Sequence, residues 1–328
     1  MKFNKKSFIF ILTIGLIFAA SISFSGCLSD PSHPDEHFEG DGHDHSDHDH
    51  DHGDPNATYE ALDNASVNQI LNGGKILVAA SVVPQTEFIE KVGGDKVIAI
   101  SMIPPGAGHN YDPSPRQLED LSKANLYMTL GSGEPFENKH MNTFVQLNPN
   151  MTVADSSVGL TLIQNGNSTD PHIWTSPKCA MIMVENTYKG LAGIDPENAS
   201  YYRQNADAYL QELQELDAEL EAEFSNLKTD NFMVYHPAWG YFSRDYGFNQ
   251  IAVEVDGKEP TPKVIVEYIK LAKQNNISVI FVQEQVSVTG ATAIAEGFGG
   301  KVYVIDPLAK NYVGNMKTVG KALAEEMS

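Results

Sequence analysis

The chain has 328 residues, 41% of them hydrophobic, a mean hydropathy of -0.27 and a formal net charge of -21. That length holds one or two domains with sizeable cores, and that hydropathy excludes a polytopic membrane protein. The acidic balance argues against a nucleic-acid partner, which needs clustered Lys and Arg, and two cysteines, Cys27 and Cys179, rule out a disulfide framework.

At the N-terminus Lys2, Lys5 and Lys6 precede an apolar run from Phe8 to Ala20, and small residues lead into Phe24-Ser25-Gly26-Cys27. A positive flank, an apolar core and small residues before a cut site are the layout of a secretory signal, here residues 1–27. The last four residues resemble a lipobox, whose cysteine is lipidated and becomes the new N-terminus; Phe24 departs from the usual aliphatic residue. An uncleaved anchor is the alternative, since the run is nearly long enough to span a bilayer. Both place the remainder on the extracytoplasmic face of the membrane. Six Asn-X-Ser/Thr sequons, at Asn56, Asn64, Asn150, Asn167, Asn198 and Asn276, suit an exported chain.

Residues 28–70 lose their apolar side chains and predict a disordered tether. Seven of the eleven histidines lie there: His33, His37, His43, His45, His48, His50 and His52. Imidazole is the commonest protein ligand for zinc and copper, and the interleaved aspartates attract divalent ions. A pure spacer needs no histidine, so weak, exchangeable metal capture by His43, His45, His48, His50 and His52 is favoured over a solvated spacer.

From Lys75 the pattern becomes strand, helix, strand. Strands are predicted at Lys75 to Val83, Lys96 to Ile103 and Leu126 to Leu130, with helices reaching Val92, from Ser114 to Ala124 and from Pro135 to Leu147. This first lobe, residues 71–194, closes on Asp170-Pro171-His172-Ile173-Trp174-Thr175-Ser176-Pro177, two proline-led helix starts with Trp174 beneath the turn and His172 pointing outward. Residues 195–228 predict one long helix, with Tyr202, Ala206, Tyr209, Leu213, Leu216, Leu220 and Phe224 as an apolar stripe; it reads as a strut joining two lobes or as a long surface helix of one. Residues 229–328 repeat the strand–helix rhythm, with strands at Asn231 to Tyr235, Ile251 to Val255, Val279 to Val282 and Lys301 to Ile305 and no internal repeat beyond it. The fold class is therefore α/β, two lobes with mostly parallel sheets.

Outside the tether four histidines remain. His140 sits mid-helix among polar residues and reads as surface. His109, His236 and Asp306 fall at carboxyl ends of strands, where open α/β sheets bind ligands, and His172 enters a helix nearby. Three imidazoles and a carboxylate are a zinc-type donor set.

The stretches Gly108-His109-Asn110-Tyr111-Asp112-Pro113-Ser114-Pro115, Asp170-Pro171-His172-Ile173-Trp174, Tyr235-His236-Pro237-Ala238-Trp239-Gly240-Tyr241-Phe242, Ile280-Phe281-Val282-Gln283-Glu284-Gln285 and Val304-Ile305-Asp306-Pro307-Leu308 occur in an order that resembles the zinc/manganese family of ABC-transporter solute-binding lipoproteins. The resemblance implies two βα lobes joined by one long rigid helix with metal between them. It implies His109, His172, His236 and Asp306 as metal ligands, and Glu284 as an acid that supports the site without binding the metal directly. It also implies an ABC permease as partner, a lipid-anchored monomer, and a transported ion rather than an enzyme's cofactor. Zinc is favoured over manganese because His236 stands where manganese-type relatives tend to carry a carboxylate; nickel, cobalt and copper also suit imidazole. Two features depart from the family. The connection Asn165-Gly166-Asn167-Ser168-Thr169 is short where zinc-selective relatives often carry a His/Asp-rich loop, and Gly108 replaces a polar or proline residue. A secreted zinc hydrolase is disfavoured, since neither His-Glu-x-x-His nor Gly-x-Ser-x-Gly occurs. A surface adhesin using metal structurally is the other competitor.

Overall fold

Proline decides where many of the helices begin. Five of them, α2 (Val83–Gly93), α3 (Pro115–Leu121), α4 (Pro135–Leu147), α5 (Pro177–Ile194) and α8 (Pro262–Gln274), carry it in the first turn, where its missing N–H costs nothing. Ser114 adds a side-chain cap to α3, accepting from the Gln117 N–H while the Gln117 side chain accepts from the Ser114 N–H. In a computed structural model the chain is described over residues 59–254, 260–283 and 289–328, which lie within one compact unit. The signal segment, Cys27, the tether histidines and Glu284 lie outside the described residues.

The first sheet contains β1 (Ile76–Ala80), β2 (Val97–Ser101), β3 (Leu126–Thr129) and β4 (Thr152–Asp155), in the order β2-β1-β3-β4 and parallel throughout. A two-stranded hairpin, β5 (Gln164–Asn165) and β6 (Ser168–Thr169), follows it. The second sheet contains β7 (Asn231–Val234), β8 (Asn249–Ala252), β9 (Val279–Val282) and β10 (Lys301–Val304), in the order β8-β7-β9-β10, again parallel. Numbered from the start of each lobe, both sheets run second-first-third-fourth. The topology thus repeats although the sequence shows no repeat. The central strand β3 and the central strand β9 are buried along their whole length, as strands covered by helices on both faces must be. The remaining helices are α1 (Asn64–Leu71), α6 (Ala199–Glu223), α7 (Gly240–Tyr246), α9 (Thr289–Phe298) and α10 (Tyr312–Met327).

The long helix is present. At 1.5 Å per residue the 25 residues of α6 span roughly 37 Å. Its stripe of Tyr202, Ala206, Tyr209, Leu213, Leu216 and Leu220 is buried, whereas Phe224 falls in the short 3-10 turn that ends it. α6 touches both halves: Tyr209 donates to Glu87 on α2 at 3.0 Å, Tyr246 on α7 donates to Asp217 at 2.7 Å, and Gly320 on α10 lies against Leu220 so closely that an added Cβ would meet it at 2.2 Å. Among the described residues no helix is long and apolar enough to cross a membrane.

Candidate metal centre

The segment after the hairpin folds on itself before α5 begins. One carboxylate oxygen of Asp170 accepts from the His172 backbone N–H at 2.9 Å and lies 2.8 Å from its Nδ1, an Asx turn that holds the ring as well as the chain. The segment is then bonded to the second lobe. Trp174 Nε1 donates to the Pro307 carbonyl at 2.7 Å, Thr175 Oγ1 to the Ala238 carbonyl at 3.0 Å, and Tyr241 Oη to the Asp170 carbonyl at 2.8 Å. Trp174 is buried beneath the turn as its position implied. His172 does not point outward: it is buried too, because the segment that carries it is bonded against the second lobe.

His109 arrives on the loop between β2 and α3. Its Nδ1 lies 2.9 and 3.0 Å from the two oxygens of Glu134, a fully buried acid that caps α4. His236 follows β7 after Tyr235, and its Nδ1 lies 3.1 Å from Glu254, a buried acid just beyond β8. Each of the three imidazoles therefore has a carboxylate at Nδ1. A carboxylate accepts, so each Nδ1 carries the hydrogen and each neutral ring presents an Nε2 lone pair. Carboxylates placed in this way fix the tautomer and raise the basicity of a ligand histidine.

Those lone pairs converge. His236 Nε2 and His172 Nε2 are 3.2 Å apart, and one ligand nitrogen from each of His109, His172 and His236 lies within 4.8 Å of the others. The three ring centroids are 5.1 to 5.6 Å apart. Burial first, and the neighbouring imidazoles after it, lower the proton affinity of His172 against the pull of Asp170. Burial would raise Asp170, but its hydrogen bonds from His172 outweigh that and hold the carboxyl below its usual range. The pair therefore favours a neutral ring beside an ionised acid, which is the state a metal ligand requires.

Three of the four ligands expected from the sequence thus meet, drawn from a loop of the first lobe, the segment between the lobes, and the second lobe. Asp306 is not in that cluster. It follows β10, and one of its carboxylate oxygens accepts from the Leu308 N–H at 2.8 Å. His140 is not a surface residue: its ring is half-buried beside Phe136 and Phe144. Sequence reasoning missed the ring partners Glu134, Asp170 and Glu254. Asp170 reads in the sequence as a helix cap and Glu254 as strand, and Glu134, just before the helix from Pro135, carries no secondary-structure signal of its own. Their common signal is an acid at or beyond the carboxyl end of a strand, adjoining a proline or a buried run.

Residues 78–326 match the family described as ZnuA, zinc-uptake complex component A, periplasmic. A crystal structure of ZnuA is 37% identical, covers 77% of this chain and all of its own, and superposes with a TM-score of 0.75. A zinc-bound ZnuA with residues 138–173 of its own sequence deleted is 36% identical over 77% of this chain and 98% of its own, with a TM-score of 0.74. The zinc-binding protein AdcA of Streptococcus pyogenes is 26% identical over 285 residues, covering 77% of this chain and 54% of the relative, so the chain spans about half the length of that curated protein. With the family matched across most of the described residues and the fold shared end to end with ZnuA, the chain belongs to the zinc-uptake component A family, as its motifs implied.

Proposed function

We propose that this protein is the extracytoplasmic solute-binding component of an ABC uptake system, which captures zinc at His109, His172 and His236 and hands it to a membrane permease. The observation that carries the reading is the convergence of three imidazoles whose Nδ1 atoms are all engaged by carboxylates. Three Nε2 lone pairs facing one another repel unless a cation stands between them, and three imidazoles suit zinc better than manganese, which prefers oxygen donors. Zinc here is cargo. For the fourth position of a tetrahedral ion we assign Asp306, whose loop is tied to the His172 segment through the bond from Trp174 to Pro307. The chain acts as a monomer, exported and anchored through a lipid on Cys27, and the histidine-rich tether gathers metal at low affinity near the membrane. Glu284 supports the site rather than binding the ion.

The test is zinc stoichiometry of the full-length chain after dialysis against a chelator that strips weak sites, for the wild type and His236→Ala. Both proteins keep the tether, so only the central site differs. One retained zinc per wild-type chain and none in the variant is the expected result. Equal retention by the two would overturn the assignment. Normal growth of a deletion strain in chelated medium would count against uptake.

A further inference from the structure

His140 is the one described histidine that the metal site leaves unused, and its surroundings give it a task. On α4 its ring is packed 4.9 Å from Phe136 and stacked on Phe144 at 5.8 Å with 14° between the planes. Both phenylalanines are fully buried, so the imidazole has little freedom to turn. Its Nε2 lies 3.2 Å from the Tyr111 carbonyl and 3.2 Å from a carboxylate oxygen of Asp112. A carbonyl can only accept, so Nε2 carries the hydrogen and donates it to the backbone of the loop, with Asp112 sharing it. Lys139, the preceding residue on α4, reaches the same Asp112 oxygen at 2.8 Å.

Tyr111 and Asp112 are two and three residues beyond His109. Six residues before His140, at the start of the same helix, Glu134 holds the His109 ring. One rigid helix thus grips the loop twice, at the imidazole and at the backbone just downstream, and the two grips are about 9 Å apart along its axis. The Tyr111 ring faces that of Phe136 at 6.4 Å with 26° between the planes, and its hydroxyl donates to Gln117 at 2.6 Å, which leaves the loop few alternative paths. The loop needs fixing, because Pro104-Pro105-Gly106-Ala107-Gly108 contains two glycines and Gly106 takes a positive φ of 82°. His109 is also the most exposed of the three imidazoles, its side chain 30% accessible against 8% for His172 and 16% for His236.

We propose that His140 is a positioning residue that clasps the Tyr111–Asp112 backbone to α4, holds His109 at the mouth of the site, and so sets how fast the metal leaves. The inference rests on the zinc-binding reading above. His140→Phe keeps the aromatic stack but removes the donor, whereas His140→Gln puts an amide N–H where Nε2 stands. The experiment loads full-length protein with zinc and follows release into a coloured chelator by stopped flow, with thermal unfolding recorded for every variant. His140→Phe should release zinc about tenfold faster, in the range of losing an outer partner of a metal ligand, and His140→Gln should restore most of the wild-type rate. In a His109→Ala background His140→Phe should add no further change, because the ligand it positions is gone. A general loss of stability would instead speed release in both backgrounds, and that result overturns the proposal, as does a wild-type rate in His140→Phe. A wild-type chain that retains no zinc would bring down the functional reading and this one together. Zinc retention with an unaltered His140→Phe rate would bring down this one alone.

Discussion

The two sheets have the same strand order, but the lobes around them place their chemistry at different points. In the first lobe the histidine follows the second strand, β2, and its acid, Glu134, follows the third, β3. In the second lobe the histidine follows the first strand, β7, and its acid, Glu254, follows the second, β8. His172 and Asp170 lie two residues apart on the segment between them. Every imidazole therefore draws its carboxylate from its own part of the chain, and what meets across the lobes is the face of ligand nitrogens. The comparison shows one strand order carrying its histidine and its acid at different points in each lobe. Any shift of one lobe against the other would leave each histidine with its own carboxylate and hence its tautomer.

The strongest way to break this picture is to remove one ligand from each side. Structural zinc sites bind with about 10–16 kcal/mol over four ligands, so a single imidazole carries about 3 kcal/mol, or more than a hundredfold in affinity. His172→Ala and His236→Ala should each lose at least that much in a calorimetric zinc titration of the full chain. A variant that kept near-wild-type affinity would show that its imidazole does not contribute to the site.

A second difference between the lobes can be read by pH. Glu137, on α4 of the first lobe, is buried and accepts from Ser81 Oγ and from the Leu130 and Gly131 N–H groups, pinning the end of β3 to the helix. Burial pushes its carboxyl up to about 7, against the opposing pull of those donors. With the folded value above the unfolded one, the folded state binds the proton more tightly between them. Its contribution is therefore full below about 4.5, is lost as pH rises, and is gone above about 7. The whole span amounts to roughly 3 kcal/mol. Urea unfolding of the wild type should show stability falling from pH 5 to 8 relative to Glu137→Gln, comparing slopes rather than absolute values. Parallel slopes would show that Glu137 titrates alike in both states.

The independence of the three imidazole–carboxylate units predicts a smaller, graded effect. Glu134→Gln, Asp170→Asn and Glu254→Gln should each weaken zinc binding by about 10–100-fold, the usual cost of losing a ligand's outer partner. Because each acid serves one ring, a double variant such as Glu134→Gln with Glu254→Gln should show the sum of the two free-energy losses. Strong non-additivity would mean that the acids act on a shared network.

Much of this was legible in the sequence for identifiable reasons. The strand–helix alternation, most of the proline-led helix starts and the stripe on α6 are local signals that recur in the structure; Asp170-Pro171 instead opens an Asx turn and a short 3-10 turn. His109, His172 and His236 stood out because each sits in a turn framed by proline and aromatic residues. What escaped was non-local or weakly patterned. β4 is an edge strand whose residues are mostly exposed, so Thr152 to Asp155 shows no apolar run. The repeat of strand order is a property of pairing and leaves no mark on residue identity. The acids Glu134 and Glu254 gain their role only when a histidine from another loop arrives beside them. The C-terminal helix α10 also went unread, although its stripe of Tyr312, Met316, Val319, Leu323 and Met327 is periodic and all of it is buried.

The smallest expected effect concerns the contact that keeps the lobes in register. Tyr241, on α7 of the second lobe, donates to the Asp170 carbonyl at 2.8 Å and accepts from the Ile163 N–H at 3.1 Å, so a single hydroxyl spans both lobes. Tyr241→Phe leaves a donor and an acceptor of the first lobe without this partner while keeping the buried ring. The cost should be about 1–2 kcal/mol of unfolding free energy, the scale of one or two hydrogen bonds to partly buried groups. If each histidine is oriented from within its own part of the chain, zinc affinity should change less than it does in the carboxylate variants, because Asp170 still holds His172 through its side chain. A loss of affinity exceeding that of Asp170→Asn would instead mean that the lobe-to-lobe bolt, rather than the local carboxylate, orients the buried ligand.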